Sequence, residues 1–259
     1  MRPERLLPVS YTHLGNATVI IDDTCNTPER QREAASNTRI SKTSDFGSGC
    51  SCDGNLVIHE SIYDDFVKAL EAEGAYLANE EEAEMLKKVM WDETGHRLPQ
   101  TVAISPQKLA LTAGFEIPED RKFIAVTGGG INEIGKEFFF SSEKLTTLLS
   151  LFKYEGEFEN ALTMMQAIFN VGGKGHSCGI YSFDDEHIHR LGMAAPVSRI
   201  MVRQPNNKGN SGSCLLYTSG PGGKDGRCGV PRIRASWRRG AAGRPGLGGG
   251  HVCRLPGAG

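Results

Sequence analysis

The chain has 259 residues, 39% of them apolar and 23% charged, which allows one large domain or two modest ones around a sizeable core. The formal net charge of −2 selects no partner class, although residues 220–259 hold eight Lys/Arg against one acid, about +7, leaving about −9 on the rest. No apolar run approaches the roughly 20 residues of a membrane span, the start MRPERLLPVS is too poor in apolar residues for a signal peptide, and seven irregularly spaced cysteines point to a reduced, cytoplasmic protein, not a disulfide framework.

In chain order, residues 15–213 alternate apolar runs with amphipathic stretches. Thr18–Ile21 reads as a short buried strand ending at Asp22-Asp23. Asn26-Thr27-Pro28-Glu29 starts a helix, with a capping side chain and a proline in the first turn, and that helix is expected to end near Asn37. Asn55–Ile58 is the next strand, and Ser61 is placed to cap a helix with Ile62, Phe66, Val67 and Leu70 on one face. Asn79–Trp91 predicts a helix that is acidic first and basic last, as the helix dipole favours. Strands are expected at Lys122–Val126, Leu145–Phe152, Gly179–Phe183 and Ile200–Val202, with helices at Glu157–Phe169 and Asp185–Leu191. Strands separated by helices predict an α/β fold whose mostly parallel sheet is covered by helices.

The two ends differ in texture. Residues 8–14 read PVSYTHL and residues 214–219 read CLLYTS. Both are translations, in different frames, of one DNA string, CTGTCTCTTATACACATCT, which resembles the transposon end used to prepare sequencing libraries. Residues 1–14 are therefore expected to be an adapter-derived leader, and residues 214–259 an adapter-derived or frame-shifted tail. The tail is rich in Gly, Arg and Pro and lacks the apolar residues that would offset ordering entropy, so it is expected to be disordered. The other reading of its basic charge is a nucleic-acid arm.

The stretch that can carry chemistry is Ser41-Lys42-Thr43-Ser44-Asp45-Phe46-Gly47-Ser48-Gly49-Cys50-Ser51-Cys52. A cysteine after short side chains and just before a strand can sit at the strand entrance, where a substrate can reach Sγ. Nucleophilic work needs the thiolate, which nearby backbone N–H groups or cations favour. The competing reading is an inert buried thiol, common for free cysteine.

The run from Gly15-Asn16 through Ile20-Ile21-Asp22, then Arg39-Ile40-Ser41-Lys42-Thr43-x-Asp45 to Cys50-Ser51, resembles the CoA-acylating aldehyde dehydrogenases. Later segments keep the family's order: Ala113-Gly114-Phe115, Pro118-Glu119-Asp120, Glu143-Lys144-Leu145, Gly172-Gly173-x-Gly175-His176-Ser177, Arg199-Ile200 and Gln204-Pro205. The likeness spans nearly all of residues 15–213, and the contexts Gly-Ser-Gly-Cys-Ser and GHSCGIY look most similar to sulfoacetaldehyde dehydrogenases. The resemblance implies a catalytic-domain fold of the aldehyde dehydrogenase kind, with Cys50 as catalytic nucleophile. The thiolate would add to an aldehyde carbonyl, hydride would leave to NAD or NADP, and coenzyme A would take the acyl group from the resulting thioester. Glu143 matches the acid that holds the nicotinamide-side ribose, against the reading of a solvated acid. His176 matches the Gly-His-Thr/Ser motif, where it would contact coenzyme A or substrate, against the reading of a loop histidine bonded to backbone. The implied partners are a small aldehyde, sulfoacetaldehyde among the candidates, and further copies of the chain in a homo-oligomer, with neither nucleic acid nor membrane. Two other readings stay open: a binding module with this fold and no catalysis, and an acyl-phosphate reductase of the same superfamily.

Departures from the family pattern matter too. The place of the hydrolytic members' general base falls near Thr12, inside the suspect leader, and Thr147 stands where a proline is usual. The family's nucleotide-binding domain and oxyanion-hole asparagine are missing, and no Rossmann fingerprint follows a strand, so this chain is expected to be a truncated fragment, inactive alone. Gly128-Gly129-Gly130 lacks the spacing of a phosphate loop and predicts a turn. No metal site is expected: His187 and His189 lie two apart on a helix and point to opposite sides. Cys50 and Cys52 would share a strand face, but no second Cys/His pair completes four ligands. Cys25 and Cys178 are expected to be buried small residues.

Overall fold

The computed structural model describes residues 15–209, so the suspect leader (1–14) and the whole suspect tail (214–259), with the disorder expected of it, lie outside the described residues. Seven strands, all parallel, form one sheet in the order β3-β4-β5-β2-β1-β6-β7. They are β1 (Thr18–Ile21), β2 (Asn55–His59), β3 (Ala75–Leu77), β4 (Phe123–Gly129), β5 (Leu148–Tyr154), β6 (Ser177–Tyr181) and β7 (Arg199–Val202). The helices are α1 (Pro28–Thr43), α2 (Tyr63–Ala72), α3 (Glu80–Met90), α4 (Pro106–Ala113), α5 (Phe158–Val171) and α6 (Asp185–Ala194).

Side chains alternate across a strand, so adjacent residues of one run serve opposite layers. Val19 and Ile21 of β1 join Leu56, Ile58, Phe66 and Leu70 under α1 and α2. Ile20 and Val57 join Met164, Ile168 and Leu191 under α5 and α6. A third cluster packs Leu86, Met90 and Leu109 of α3 and α4 on Ile124, Val126 and Leu148. Burial on both faces is what a parallel sheet with crossover helices requires.

Several elements differ from expectation. Helix α1 runs on from Asn37 to Thr43, because Gln31, Ala34, Ala35, Thr38, Ser41 and Lys42 keep a buried stripe at three- and four-residue steps. Thr27 caps it as expected, accepting from the Arg30 N–H. Ser61 lies inside a short 3-10 turn capped by His59, and α2 begins two residues later. Strand β3 and helix α4 escaped the sequence reading: β3 has three residues, and α4 is a two-turn helix announced by Ser105-Pro106 and closed by Gly114 at φ 102°. Gly128 and Gly129 finish β4, and Gly130 opens the turn, its N–H donating to Glu133 Oε2 at 2.8 Å.

Candidate active site

The segment between α1 and β2 is loop. Asp45, Phe46 and Gly47 take φ of 46°, 51° and 70°, a left-handed run that two of these residues adopt only because neighbours hold it. At Gly47 the fit is tight: a Cβ would collide with the Thr146 carbonyl, so the segment after Glu143 lies directly against this loop. Cys50 and Cys52 stand in the following turn, closed by Cys52 N–H donating to Gly49 O at 2.9 Å, and so share no strand face. Cys50 is exposed; Cys25, Cys52 and Cys178 are buried. Burial pushes the Cys25 thiol up to about 12 and raises those of Cys52 and Cys178, which makes them poor nucleophiles at neutral pH.

Gly15 joins the loop to the rest of the site. A Cβ there would collide with both the Cys50 carbonyl and the Glu143 carboxylate, so only glycine lets these meet. Cys50 and Glu143 consequently line one cavity, with Asn16, Lys42, Gly47, Gly49, Cys52, Gly54, Lys144 and Leu145; its interior has room for about one water molecule (≈ 10 Å³). A larger cleft of about 450 Å³ runs past Gly130, Lys153 and Asn160, but no thiol lines it.

Glu143 is nearly buried and pairs with Arg97, whose Nη1 lies 3.5 Å from Oε2 and donates at 3.3 Å to the Glu143 carbonyl. Burial raises its pKa, and Arg97 opposes that rise. Arg97 reaches it from a short loop held by the Trp91–Arg97 bridge. His176 is not among the residues lining the cavity. Its loop touches the site through Gly173, which packs on the Gly15 carbonyl and the Asn16 side chain. His176 Nδ1 lies 2.8 Å from Ser177 Oγ, and burial, then Arg199, lower its pKa, so the ring is neutral near pH 7.

Asn16, Lys42 and Arg97 were not singled out from sequence as site residues. Asn16, buried at φ 92°, donates to Ser141 O at 2.8 Å and Gly172 O at 3.4 Å, and accepts from Asn55 Nδ2 at 2.8 Å. One side chain thus fixes the Glu143 loop, the His176 loop and the entrance of β2. Lys144 extends this network, donating to Asn55 Oδ1 at 2.5 Å and Gly54 O at 2.9 Å. Asp53 bonds Ser41 Oγ at 2.9 Å, and burial pushes its carboxyl up to about 7 against that bond and Lys42. Thr147, at the place of the usual proline, is buried and donates to Ile104 O at 3.1 Å. His187 faces away from any pairing with His189: its Nδ1 lies 2.8 Å from Asp22 Oδ2, and Thr24 satisfies the other Asp22 oxygen. Asp22, Asp23 and His187 do bring three donor atoms within 4.8 Å, but each Asp22 oxygen is already used.

The covered parallel sheet is the fold seen in acylating aldehyde dehydrogenases of known structure. The acetylating aldehyde dehydrogenase of Geobacillus thermoglucosidasius superposes with a TM-score of 0.72 at 33% identity, over 78% of this chain and 43% of that one. A sulfoacetaldehyde dehydrogenase from an Acholeplasma species is 36% identical over 203 residues, and the acylating sulfoacetaldehyde dehydrogenase of Bilophila wadsworthia 33% identical over 202. These alignments cover 77% and 76% of this chain but 40% and 42% of the relatives, so the chain spans about two fifths of their length. No family model matches the chain. Over the matched stretch the chain is similar to acylating aldehyde dehydrogenases.

Proposed function

We propose that this chain carries the cysteine-centred part of an aldehyde-to-acyl-CoA oxidation. The observation that supports it most is that Cys50 alone among the described cysteines is exposed, at a cavity it shares with the partly buried acid Glu143. In this reading Cys50 Sγ adds to the aldehyde carbon, and the C=O electron pair moves onto oxygen. Glu143 would hold a ribose hydroxyl of NAD or NADP: it is a recessed acceptor, kept at the Cys50 main chain by the glycine at position 15. Bound there, the nicotinamide supplies the hydride acceptor that leaves a thioester on sulfur. His176, whose loop touches the site through Gly173, would contact coenzyme A or substrate. The relatives' names favour a small aldehyde with an anionic end, sulfoacetaldehyde among them. The full-length enzyme would work in the cytoplasm as a homo-oligomer; among the described residues no helix is long and apolar enough to cross a membrane.

The reading is tested without nicotinamide. Among the described cysteines of the purified chain, a short acyl-CoA should place one acyl group, on Cys50, by peptide mass spectrometry, and Cys50→Ser should leave the other three unacylated. Acyl groups absent from Cys50, or spread over several cysteines, would favour a binding module with this fold.

A further inference from the structure

We propose that Lys42 is the cation that stabilises the alkoxide formed when Cys50 adds to a carbonyl group. The inference rests on the reading of Cys50 as nucleophile and extends it to a residue with no assigned role.

Lys42 closes α1 and is 1% exposed, yet its side chain lines the same small cavity as Gly49 and Cys50. The second buried lysine, Lys144, spends its ammonium on Gly54 O and Asn55 Oδ1. Lys42 instead feels the charges of Cys52, Asp53 and Glu143, each of which favours its ammonium form. An interior cation is costly unless negative charge faces it, and here that charge comes from groups lining or flanking the cavity. The cavity has space for about one oxygen atom beside it (≈ 10 Å³). Attack by Cys50 forms a C–S bond and moves the π pair onto oxygen, so a full negative charge appears at this cavity. A fixed cation in a water-poor site stabilises such a charge with little reorganisation.

The groups facing Lys42 fit this role. Cys52 and Asp53 approach from the loop before β2, and Glu143 and Lys144 from the loop before β5. Burial brings the Lys42 ammonium down to about 8, while Cys52, Asp53 and Glu143 hold it up. The charge is therefore present at neutral pH and lost above about 8.

Two reagents separate this role from others. p-Nitrophenyl acetate acylates a thiol through a tetrahedral oxyanion, from which p-nitrophenolate leaves with the C–O pair. Iodoacetamide alkylates the same sulfur by displacing iodide, with no oxyanion. Lys42→Met and Lys42→Gln should slow acylation of Cys50 by about 10²-fold, the scale of removing one oxyanion donor, and change alkylation by no more than about threefold. In the parent chain the ratio of acylation to alkylation rate should fall as pH rises through about 8. Equal slowing of both reactions, or slowing of neither, overturns the proposal and leaves Cys50 as nucleophile. A parent chain in which Cys50 reacts with neither reagent overturns the reading of Cys50 itself. Alkylation also reports folding: a Met variant with unprotected Cys25 and Cys178 is set aside, and the Gln variant and the parent pH ratio decide.

Discussion

At the scale of single residues, burial separates the thiols. Cys50 is exposed while Cys25 and Cys178 are sealed at 0% exposure, so only the first can meet a reagent without unfolding. Among the described cysteines, iodoacetamide at pH 7.5 should label Cys50 first, with labelling of Cys25 and Cys178 appearing only in denaturant; peptide mapping reads the order. Asp53 gives a pH prediction of defined sign. Its folded carboxyl holds its proton up to about 7, whereas an unfolded one releases it near 3.8, so between those values the folded state binds more protons. Stability contributed through this group therefore falls as pH rises from about 4 to about 7. Asp53→Asn should lose that slope, seen as a smaller drop in Tm between pH 4.5 and 7 than the parent shows.

At the scale of elements, three loops and one helix end meet around Asn16. Replacing it with alanine leaves the Ser141 carbonyl without its buried donor, at about 1–3 kcal/mol, and takes from the Asn55 amide the shorter of its two bonds, leaving Thr18 Oγ1 at 3.3 Å. It also places a Cβ-bearing residue without a compensating polar side chain at φ 92°. Asn16→Ala should thus cost roughly 2–5 kcal/mol in urea unfolding, and should slow Cys50 acylation in whatever fraction stays folded. A cost under about 0.5 kcal/mol would mean the three loops are held by other contacts. Away from the site, α3 starts with a reciprocal Asn79–Glu82 capping box, and Asn79→Ala should cost about 1 kcal/mol with no effect on Cys50. That pair of results distinguishes an element that builds the site from one that only covers the sheet.

At the scale of the whole molecule, one sheet carries everything, and its middle is its most protected part. β1 lies between β2 and β6, with all four residues buried and cores on both faces. β3 and β7 are the outermost strands of the described sheet, each with partly exposed residues. Amide hydrogen exchange should therefore be slowest in β1, β2 and β5 and faster in β3 and β7. Uniform protection across all seven strands would contradict this order. The Cys50 thiol is set near the entrance of β2, beside the stable centre, which keeps its loop in place although three successive residues there have positive φ.

The sequence by itself determined the layered α/β architecture, because runs such as Thr18–Ile21 and Asn55–Ile58 hold three successive apolar residues after a polar first one and must be covered on both faces. It also determined Cys50 and Glu143 as candidates, through ordered family-like segments that no single motif supplies. Lys42 was legible in part: it falls on the stripe Ala34, Ala35, Thr38, Ser41, but ending α1 near Asn37 hid it. Only the tertiary structure decided that Gly15 brings Cys50 against Glu143, that Arg97 pairs with that acid, and that His176 stands outside the cavity. The physical reason is that these contacts join residues up to 156 positions apart, as in Asn16 to Gly172. Local pattern fixes which face of an element is buried, whereas packing of one layer on another fixes which loops touch.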